Sequence, residues 1–371
     1  MRVEPFLLDQ WLELKFHADP PIRHDLASST GPEWPLRELL DLAGPKAMEE
    51  LLDVKLLYSD AAGNPTLRRE IAALEGVSEE AVLVVSGAAE ALNIVLFHVA
   101  EPGGNIVLPR PVFPPVVVLA RSLGLELRFF ALRPQEGFCT DLDEVRRLVD
   151  GKTRLLYVNS PHNPTGAVLH EADLRALHDL AAERKTLFVS DQVYHPIYHG
   201  PPSVSCAALP RATVLRSLSK AFCLSGLRLG WIVERDPGRR AQFLDLRSYF
   251  TISNVGLGEC LGILAIRNRE AILKRARTVA RRNLELLDDF FERHAGRLGW
   301  VRPKGGFTAF PWLLDGSDSR ALCQDLARSG VLVAPGDCFG VPAHFRIGFG
   351  AVEEGYADAL ACFTAVLERA A

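Results

Sequence analysis

Ser217-Leu218-Ser219-Lys220, with Gly226-Leu227-Arg228-Leu229-Gly230 close behind it, sets a primary amine between hydroxyls and an arginine. The amine can condense with an aldehyde to form a Schiff base. Ser217, Ser219 and Arg228 supply two hydroxyl donors and a fixed cation, the set that suits a phosphate dianion. An aldehyde that also carries a phosphate satisfies both halves. A solvated surface turn can have the same composition, so the stretch takes its meaning from what lies upstream.

Upstream, the apolar run Leu155-Leu156-Tyr157-Val158 leads into Asn163-Pro164-Thr165-Gly166, and Thr186-Leu187-Phe188-Val189-Ser190 ends at Asp191. Short β-rich runs that end in polar residues are where an open α/β sheet puts its ligand contacts, outside the carboxyl ends of the strands. A carboxylate at such an end keeps a pyridine nitrogen protonated, and the protonated ring accepts electrons released at a substrate α-carbon. Asp191 is the candidate for that duty; Asn163 and Tyr194 suit a ring hydroxyl. Taken alone, Asp191 also reads as a helix cap or loop aspartate.

Strand patterns recur at 81–85, 105–108, 125–130, 154–158, 186–189, 213–218 and 227–233, with helical stretches between most of them, which predicts a mostly parallel, helix-covered sheet. From about Gly256 a long helical stretch, mildly interrupted at Gly262, leads to a C-terminal part with a small sheet from 306–312, 331–334 and 345–349, backed by helices at 319–329 and 353–369. The predicted class is α/β: a large domain over 51–270 and a smaller α+β domain built from an N-terminal segment, 1–50, and a C-terminal part, 271–371.

The motifs together resemble fold-type I pyridoxal 5'-phosphate (PLP) enzymes of the aspartate aminotransferase family, class I/II. The matching segments run almost from end to end: Tyr58-Ser59-Asp60 with Gly63-Asn64-Pro65-Thr66-Leu67-Arg68, Ser86-Gly87-Ala88-Ala89-Glu90-Ala91-Leu92, Pro111-Val112-Phe113, Asn163-Pro164-Thr165-Gly166, Asp191-Gln192-Val193-Tyr194, the lysine stretch, Gly305-Gly306-Phe307, Pro335-Gly336 with Phe339-Gly340, and Phe345-Arg346-Ile347-Gly348-Phe349. The resemblance implies roles. Lys220 is the aldimine lysine and proton shuttle, Asp191 the partner of the pyridine nitrogen, and Asn163 and Tyr194 the ligands of the ring oxygen. Phe113 stacks on the ring, and Ala88 and Ala89 open a helix whose amides meet the phosphate beside Ser217, Ser219 and Arg228. Tyr58 reaches the phosphate of a neighbouring subunit, which implies a homodimer with shared sites. Arg346 grips the substrate carboxylate by a two-pronged ion pair, with Asn163 beside it. The implied reaction is a ping-pong aldimine/ketimine transfer of an amino group between an L-amino acid and a 2-oxo acid.

Two departures from the family pattern stand out. Gln192 stands where the family commonly has an acid and reads as a tolerable change behind the direct contacts, whereas the N-terminal lid segment reads Ser28-Ser29-Thr30-Gly31-Pro32-Glu33-Trp34-Pro35 instead of being glycine-rich, which leaves the substrate open. A second resemblance, to the arginine-derived cyclase capreomycidine synthase, lies in Leu132-Arg133-Pro134-Gln135-Glu136-Gly137-Phe138, Ser248-Tyr249-Phe250-Thr251-Ile252-Ser253, Gly305 to Pro311 and Gly330 to Gly336. It implies cyclisation, or β-elimination and replacement, as the alternative fate of the same carbanion, with Glu33 and Asp9 the acids to suspect for a guanidinium. A non-catalytic ligand-binding protein on the same fold is the alternative from another class.

Composition narrows the rest. The 371 residues are 48% hydrophobic, enough to bury a large core. A net charge of -4, from 42 basic and 46 acidic residues, leaves no global field to recruit nucleic acid or an anionic membrane. Lys274-Arg275-Ala276-Arg277 and Arg281-Arg282 read as the wet face of a helix. Seven cysteines without paired spacing argue against a disulfide framework and against zinc, and no metal is expected. His195 and His199 flank Pro196 and read as loop or packing histidines, and Cys338 reads as a small filler. The stretch from Met1 to Gln10 has an early acid and no long apolar core, so neither a signal nor a span is expected, and the predicted location is the cytoplasm.

Overall fold

The computed structural model describes residues 3–369; Met1 and Arg2, at the start of the N-terminal stretch read above, lie outside the described residues, as do the last two positions. The seven expected strands form as β1 (Val82–Val85), β2 (Asn105–Arg110), β3 (Glu126–Ala131), β4 (Thr153–Asn159), β5 (Leu187–Asp191), β6 (Ala212–Ser217) and β7 (Gly230–Val233). They make one sheet in the order β1-β7-β6-β5-β4-β2-β3. Only β7 runs against its neighbours; the other adjacent pairs are parallel.

Alternation along the central strands explains why their buried stretches are apolar on both faces, whereas the edge strand β3 carries Glu126 and Arg128. Val82 and Val84 join one core with Leu156, Val158, Phe188 and Val214, while Leu83 and Val85 join another with Leu155, Tyr157, Val189 and Leu215. Successive side chains point to opposite faces, and both faces are covered by helices, so neither set can be polar. The first core runs on into the C-terminal part, taking in Leu332, Phe345 and Ile347. A three-stranded antiparallel sheet there joins Thr308–Ala309, Phe345–Gly348 and Ala334–Pro335, next to the helices Ser319–Arg328 and Tyr356–Arg369. The N-terminal segment packs on the same part. His24–Asp25 pairs parallel with Val331–Leu332, and the Trp11 indole donates to the Val333 carbonyl over 2.8 Å.

Three local readings change. The strand expected at 227–233 starts at Gly230, because Ser225–Leu227 is a 3-10 turn and Arg228 sits in the left-handed region at φ 49°. The strand expected at 306–312 is broken, with Gly306 at φ 74° and two short strands after it. The helix expected from Gly256 passes straight through Gly262, where a Cβ would lie 2.3 Å from Leu229 Cδ2, and divides at Asn268 into Gly256–Arg267 and Arg269–Arg293. The Asn268 side chain donates to the Leu264 carbonyl there, offering the backbone an alternative to continued helix.

Candidate active site

The carboxyl ends of β4, β5 and β6 deliver Asn159, Asp191 and Ser217 to one edge of the sheet, where α/β sheets hold ligands. Lys220 follows β6 by three residues, and its Nζ donates to Ser29 Oγ over 2.9 Å. Burial lowers the amine to about 7, helped by the positive charges of Arg346 and Arg228 and opposed by Asp191. Asp191 moves the other way. Burial raises its carboxyl to about 6, against the Val193 amide at 3.1 Å, the Tyr157 hydroxyl at 3.0 Å and the charge of Lys220. The two shifts bring the acid and the amine to within reach of neutral pH, as expected where proton transfer is done.

Tyr194 is buried and donates to the Ser29 carbonyl over 3.2 Å, its hydroxyl pushed up to about 12 chiefly by burial. Arg346, on the strand Phe345–Gly348, is 1% exposed. Its Nη1 donates to Asn163 Oδ1 over 3.1 Å and its Nη2 to the Ala27 carbonyl over 2.6 Å, while Nε is buried without a partner among the described residues. Asn163 is fixed in turn, its amide donating to Asn159 Oδ1 over 2.7 Å. Thus Lys220, Asp191, Tyr194, Asn163 and Arg346, drawn from widely separated parts of the chain, are linked through shared partners.

Gly87, at φ 87°, opens the helix Ala88–Val99 with no side chain capping it, so Ala88 and Ala89 stand in the first turn, where backbone amides lack helical partners. Arg228 reaches this turn, its Nη2 lying 3.4 Å from the Ser86 carbonyl. A Cβ on Gly87 would stand 2.8 Å from that Nη2, and one on Gly230 within 2.9 Å of the Gly87 backbone. Ser217 and Ser219 are buried next to each other, Ser217 Oγ accepting from the Ser219 amide. Phe113 is half-buried against Phe6, edge to face at 6.1 Å. Tyr58 stands apart, 82% exposed on the segment before the Pro65–Glu75 helix.

Sequence reasoning missed Ser29, Tyr157 and Asn159 as contacts of these groups. Tyr157 lies in the run 154–158 that reads as a strand, Asn159 is one residue past it, and counting by two puts both on the face of the sheet that carries Asp191. Ser29 lay in the lid segment, whose path is set by local turns: Asp25 Oδ1 accepts from the amides of Ala27 and Ser28, and Gly348 donates to the Leu26 carbonyl. Gly348 permits that approach, since a Cβ there would lie 2.1 Å from the Ser28 carbonyl oxygen. Further along, Trp34 is covered by the Arg275 guanidinium at 4.6 Å, which is held by Glu353 and Glu38. Gln192 is buried away from the amine, its side-chain oxygen accepting from the Cys206 amide and the Ser205 hydroxyl. His195 bonds Tyr198 and His199 bonds the Gly306 carbonyl, both at 2.7 Å. Glu33 and Asp9 are exposed, and Cys338 is buried with its sulfur 3.7 Å from Arg320.

Fold and crevice define an α/β enzyme of the kind that works through a carbonyl cofactor. The family model for aminotransferase class I and II matches residues 45–361. A capreomycidine synthase of Streptomyces vinaceus is 31% identical over 349 residues, covering 92% of this chain and 88% of the relative. An aspartate/prephenate aminotransferase of Thermus thermophilus is 32% identical over 343 residues, covering 87% and 86%. The crystal structure of a PLP-dependent aminotransferase from Streptococcus suis matches with a TM-score of 0.92 at 27% identity, over 100% of this chain and 99% of that one. The chain belongs to the aminotransferase class I and II family. Its cofactor is pyridoxal 5'-phosphate, and it is a PLP-dependent aminotransferase.

The crevice fits that cofactor. Asp191 is a half-buried carboxylate in no ion pair among the described residues, so a protonated ring nitrogen would supply the charge it lacks. Glycine at 87 and 230 keeps open the space beside Arg228 and the helix start that a methyl group would fill. Among the described residues no helix is long and apolar enough to cross a membrane.

Proposed function

We propose that this crevice moves an amino group from an L-amino acid to a 2-oxo acid in a ping-pong cycle. The observation that carries the proposal is the meeting of a near-neutral Lys220 amine, the Asp191 carboxylate and the buried Arg346 at one sheet edge. Bound there, pyridoxal 5'-phosphate supplies an electrophilic aldehyde and an electron-accepting ring. Lys220 would anchor it, and its free amine would take and return the substrate α-proton at Nζ. Asp191 holds the proton on the ring nitrogen. Asn163 and Tyr194 hold the ring oxygen, and Phe113 covers a ring face. Ser217, Ser219, Arg228 and the amides of Ala88 and Ala89 take the phosphate. Arg346 takes the substrate carboxylate, and its unpartnered Nε is a donor already desolvated for that purpose.

Tyr58 belongs to a homodimer in this proposal, reaching a neighbour's phosphate. Its exposure supports that, together with Leu56, Leu57, Ile252 and Val255, all more than half exposed on two neighbouring loops. Glu259 ties those loops together, accepting from Ser59, the Asn64 amide and Asn254. Division of the chain at 1–50, 51–270 and 271–371, with the smaller domain made from both ends, is part of the same reading. So is the cytoplasm, which seven unpaired thiols support.

Cyclisation or β-elimination is the second reading, favoured by an identity to capreomycidine synthase that matches the identity to the Thermus thermophilus aminotransferase. One assay separates the two. Several amino acids, including arginine and a hydroxylated arginine, are offered with and without 2-oxoglutarate or pyruvate. Turnover that needs the oxo acid supports amino-group transfer; turnover without it, giving a cyclised amino acid or ammonia, overturns it.

A further inference from the structure

The start of the N-terminal lid segment and the residues just before it, 26–30, touch three reactive groups at once. The Ala27 carbonyl accepts from Arg346, the Ser29 carbonyl from Tyr194, and the Ser29 hydroxyl from Lys220. Two of these contacts use backbone and are open to any residue type. The third needs a hydroxyl, and Ser29 is itself only 8% exposed. A lysine side chain has four rotatable carbons and three equivalent donors, so its nitrogen has no preferred direction unless one N–H is engaged. With one N–H directed to Ser29 Oγ at 2.9 Å, the remaining positions on nitrogen are turned away from the lid.

We infer that Ser29 is the positioning residue for the Lys220 amine, its hydroxyl fixing which way the nitrogen lone pair points while its carbonyl fixes the Tyr194 hydroxyl. The inference rests on the reading of Lys220 as the reactive amine. The charged groups that face the amine are Arg346 on the small-domain strand, Asp191 at the end of β5 and Arg228 after the lysine loop. None of them moves when the hydroxyl is removed, so a Ser29→Ala change reads out that one contact. The hydroxyl accepts from nitrogen and therefore favours the ammonium; its loss lowers the amine further.

The test follows Lys220 in the full chain without added cofactor, by the rate of its reductive methylation against pH, scored by peptide mass. Ser29→Ala moves the midpoint down by about 0.5–1 in pH, the effect of one hydrogen bond to a charged group partly replaced by water. In the loaded enzyme the same change lowers kcat about tenfold and leaves the apparent KM for the amino acid within about twofold, since Arg346 is untouched. Ser29→Thr, which keeps the hydroxyl, recovers both. Should Ser29→Ala not fold, Ser29→Cys, close in volume but a weak acceptor, carries the comparison. An unmoved midpoint with unchanged kcat overturns the inference, and so does a threonine variant as impaired as the alanine one. The methylation midpoint does not depend on which reaction the enzyme runs. Failure of the amino-transfer reading is therefore distinguishable from failure of this one.

Discussion

Replacing Lys220 by methionine is expected to make the cofactor-free protein more stable while removing the covalent anchor for the cofactor. Methionine has nearly the same length and no charge, so it fills the same space without the desolvated ammonium. Burial brings the amine from an ordinary 10.5 to about 7. At about 1.4 kcal/mol per pH decade, that difference sets an upper bound of about 5 kcal/mol on the cost of keeping lysine there below pH 7. The crevice leaves Lys220 partly open to water, and water reduces the cost to about 1–3 kcal/mol, a rise of a few degrees in melting temperature for a chain of this size. The pH dependence carries the sharper prediction. Below pH 7 the amine is charged in both folded and unfolded chains, and the penalty is fully present. Between 7 and 10.5 the unfolded chain binds more protons than the folded one, so wild-type stability rises with pH and the advantage of methionine shrinks. At pH 9.5 it should be about a third of its value at pH 6.5. Thermal melts of the two cofactor-free proteins at both pH values measure this directly. Equal stability at pH 6.5, or an advantage that does not fall with pH, would refute the account of Lys220 as an amine under desolvation strain.

Arg346→Ala should weaken the apparent affinity for amino acids by about 10- to 100-fold, as loss of a charge-assisted contact of about 1.5–3 kcal/mol does, and an unchanged KM for every amino acid tried would mean that another cation holds the carboxylate. The two cradle glycines should fail differently. A Cβ on Gly230 meets backbone, the Arg216 carbonyl at 2.7 Å, and should cost about 1–3 kcal/mol of stability in a denaturant titration. A Cβ on Gly87 meets the end of the Arg228 side chain, and Gly87 also sits at φ 87°, so Gly87→Ala should cost about 1–3 kcal/mol of stability and, by displacing Arg228, weaken cofactor binding measured by absorbance as well; unchanged cofactor binding counts against the cradle. Tyr157→Phe removes a hydrogen bond that stabilises the Asp191 carboxylate, so in the cofactor-free protein the Asp191 carboxyl should titrate above its wild-type value of about 6 when followed by NMR, and an unmoved titration would show that this hydroxyl does not tune the acid.

Much of this molecule was legible because the mostly parallel sheet is covered on both faces, so its central strands are apolar runs, and three of them end at a polar residue, Asn159, Asp191 and Ser217. That rule pointed to Asp191 and Asn163 without any structure. The lysine stretch was legible for a different reason, since an amine, two hydroxyls and a cation are a chemical set rather than a conformational one. What stayed hidden depends on contacts across the chain. Arg228 in a left-handed turn, which delays β7 to Gly230, leaves no mark in strand propensity. Gly262 reads as a helix weakness until Leu229 is found packed against it. Ser29 is one serine among several in an irregular segment, and its partner lies 191 positions away.

The lid segment has a consequence for how the protein is made. Leu26 exchanges hydrogen bonds with Leu332 and Gly348, Ala27 takes one from Arg346, and Ser29 takes its two from Tyr194 and Lys220. Every one of these partners is distant in sequence, and the farthest are synthesised last. A chain leaving the ribosome can finish the seven-stranded sheet once Val233 has emerged, and that sheet carries Lys220 and Asp191. Tyr194 and Lys220 are then within reach of its first segment, but the backbone partners that anchor Leu26 are not complete until residue 348 is out. The amine therefore waits without an anchored roof through the making of more than a hundred residues, and long-range closures of this sort come late and slowly. A nascent chain stalled before residue 345 should display the lysine loop on a folded sheet, with the N-terminal segment still searching for a strand that does not yet exist.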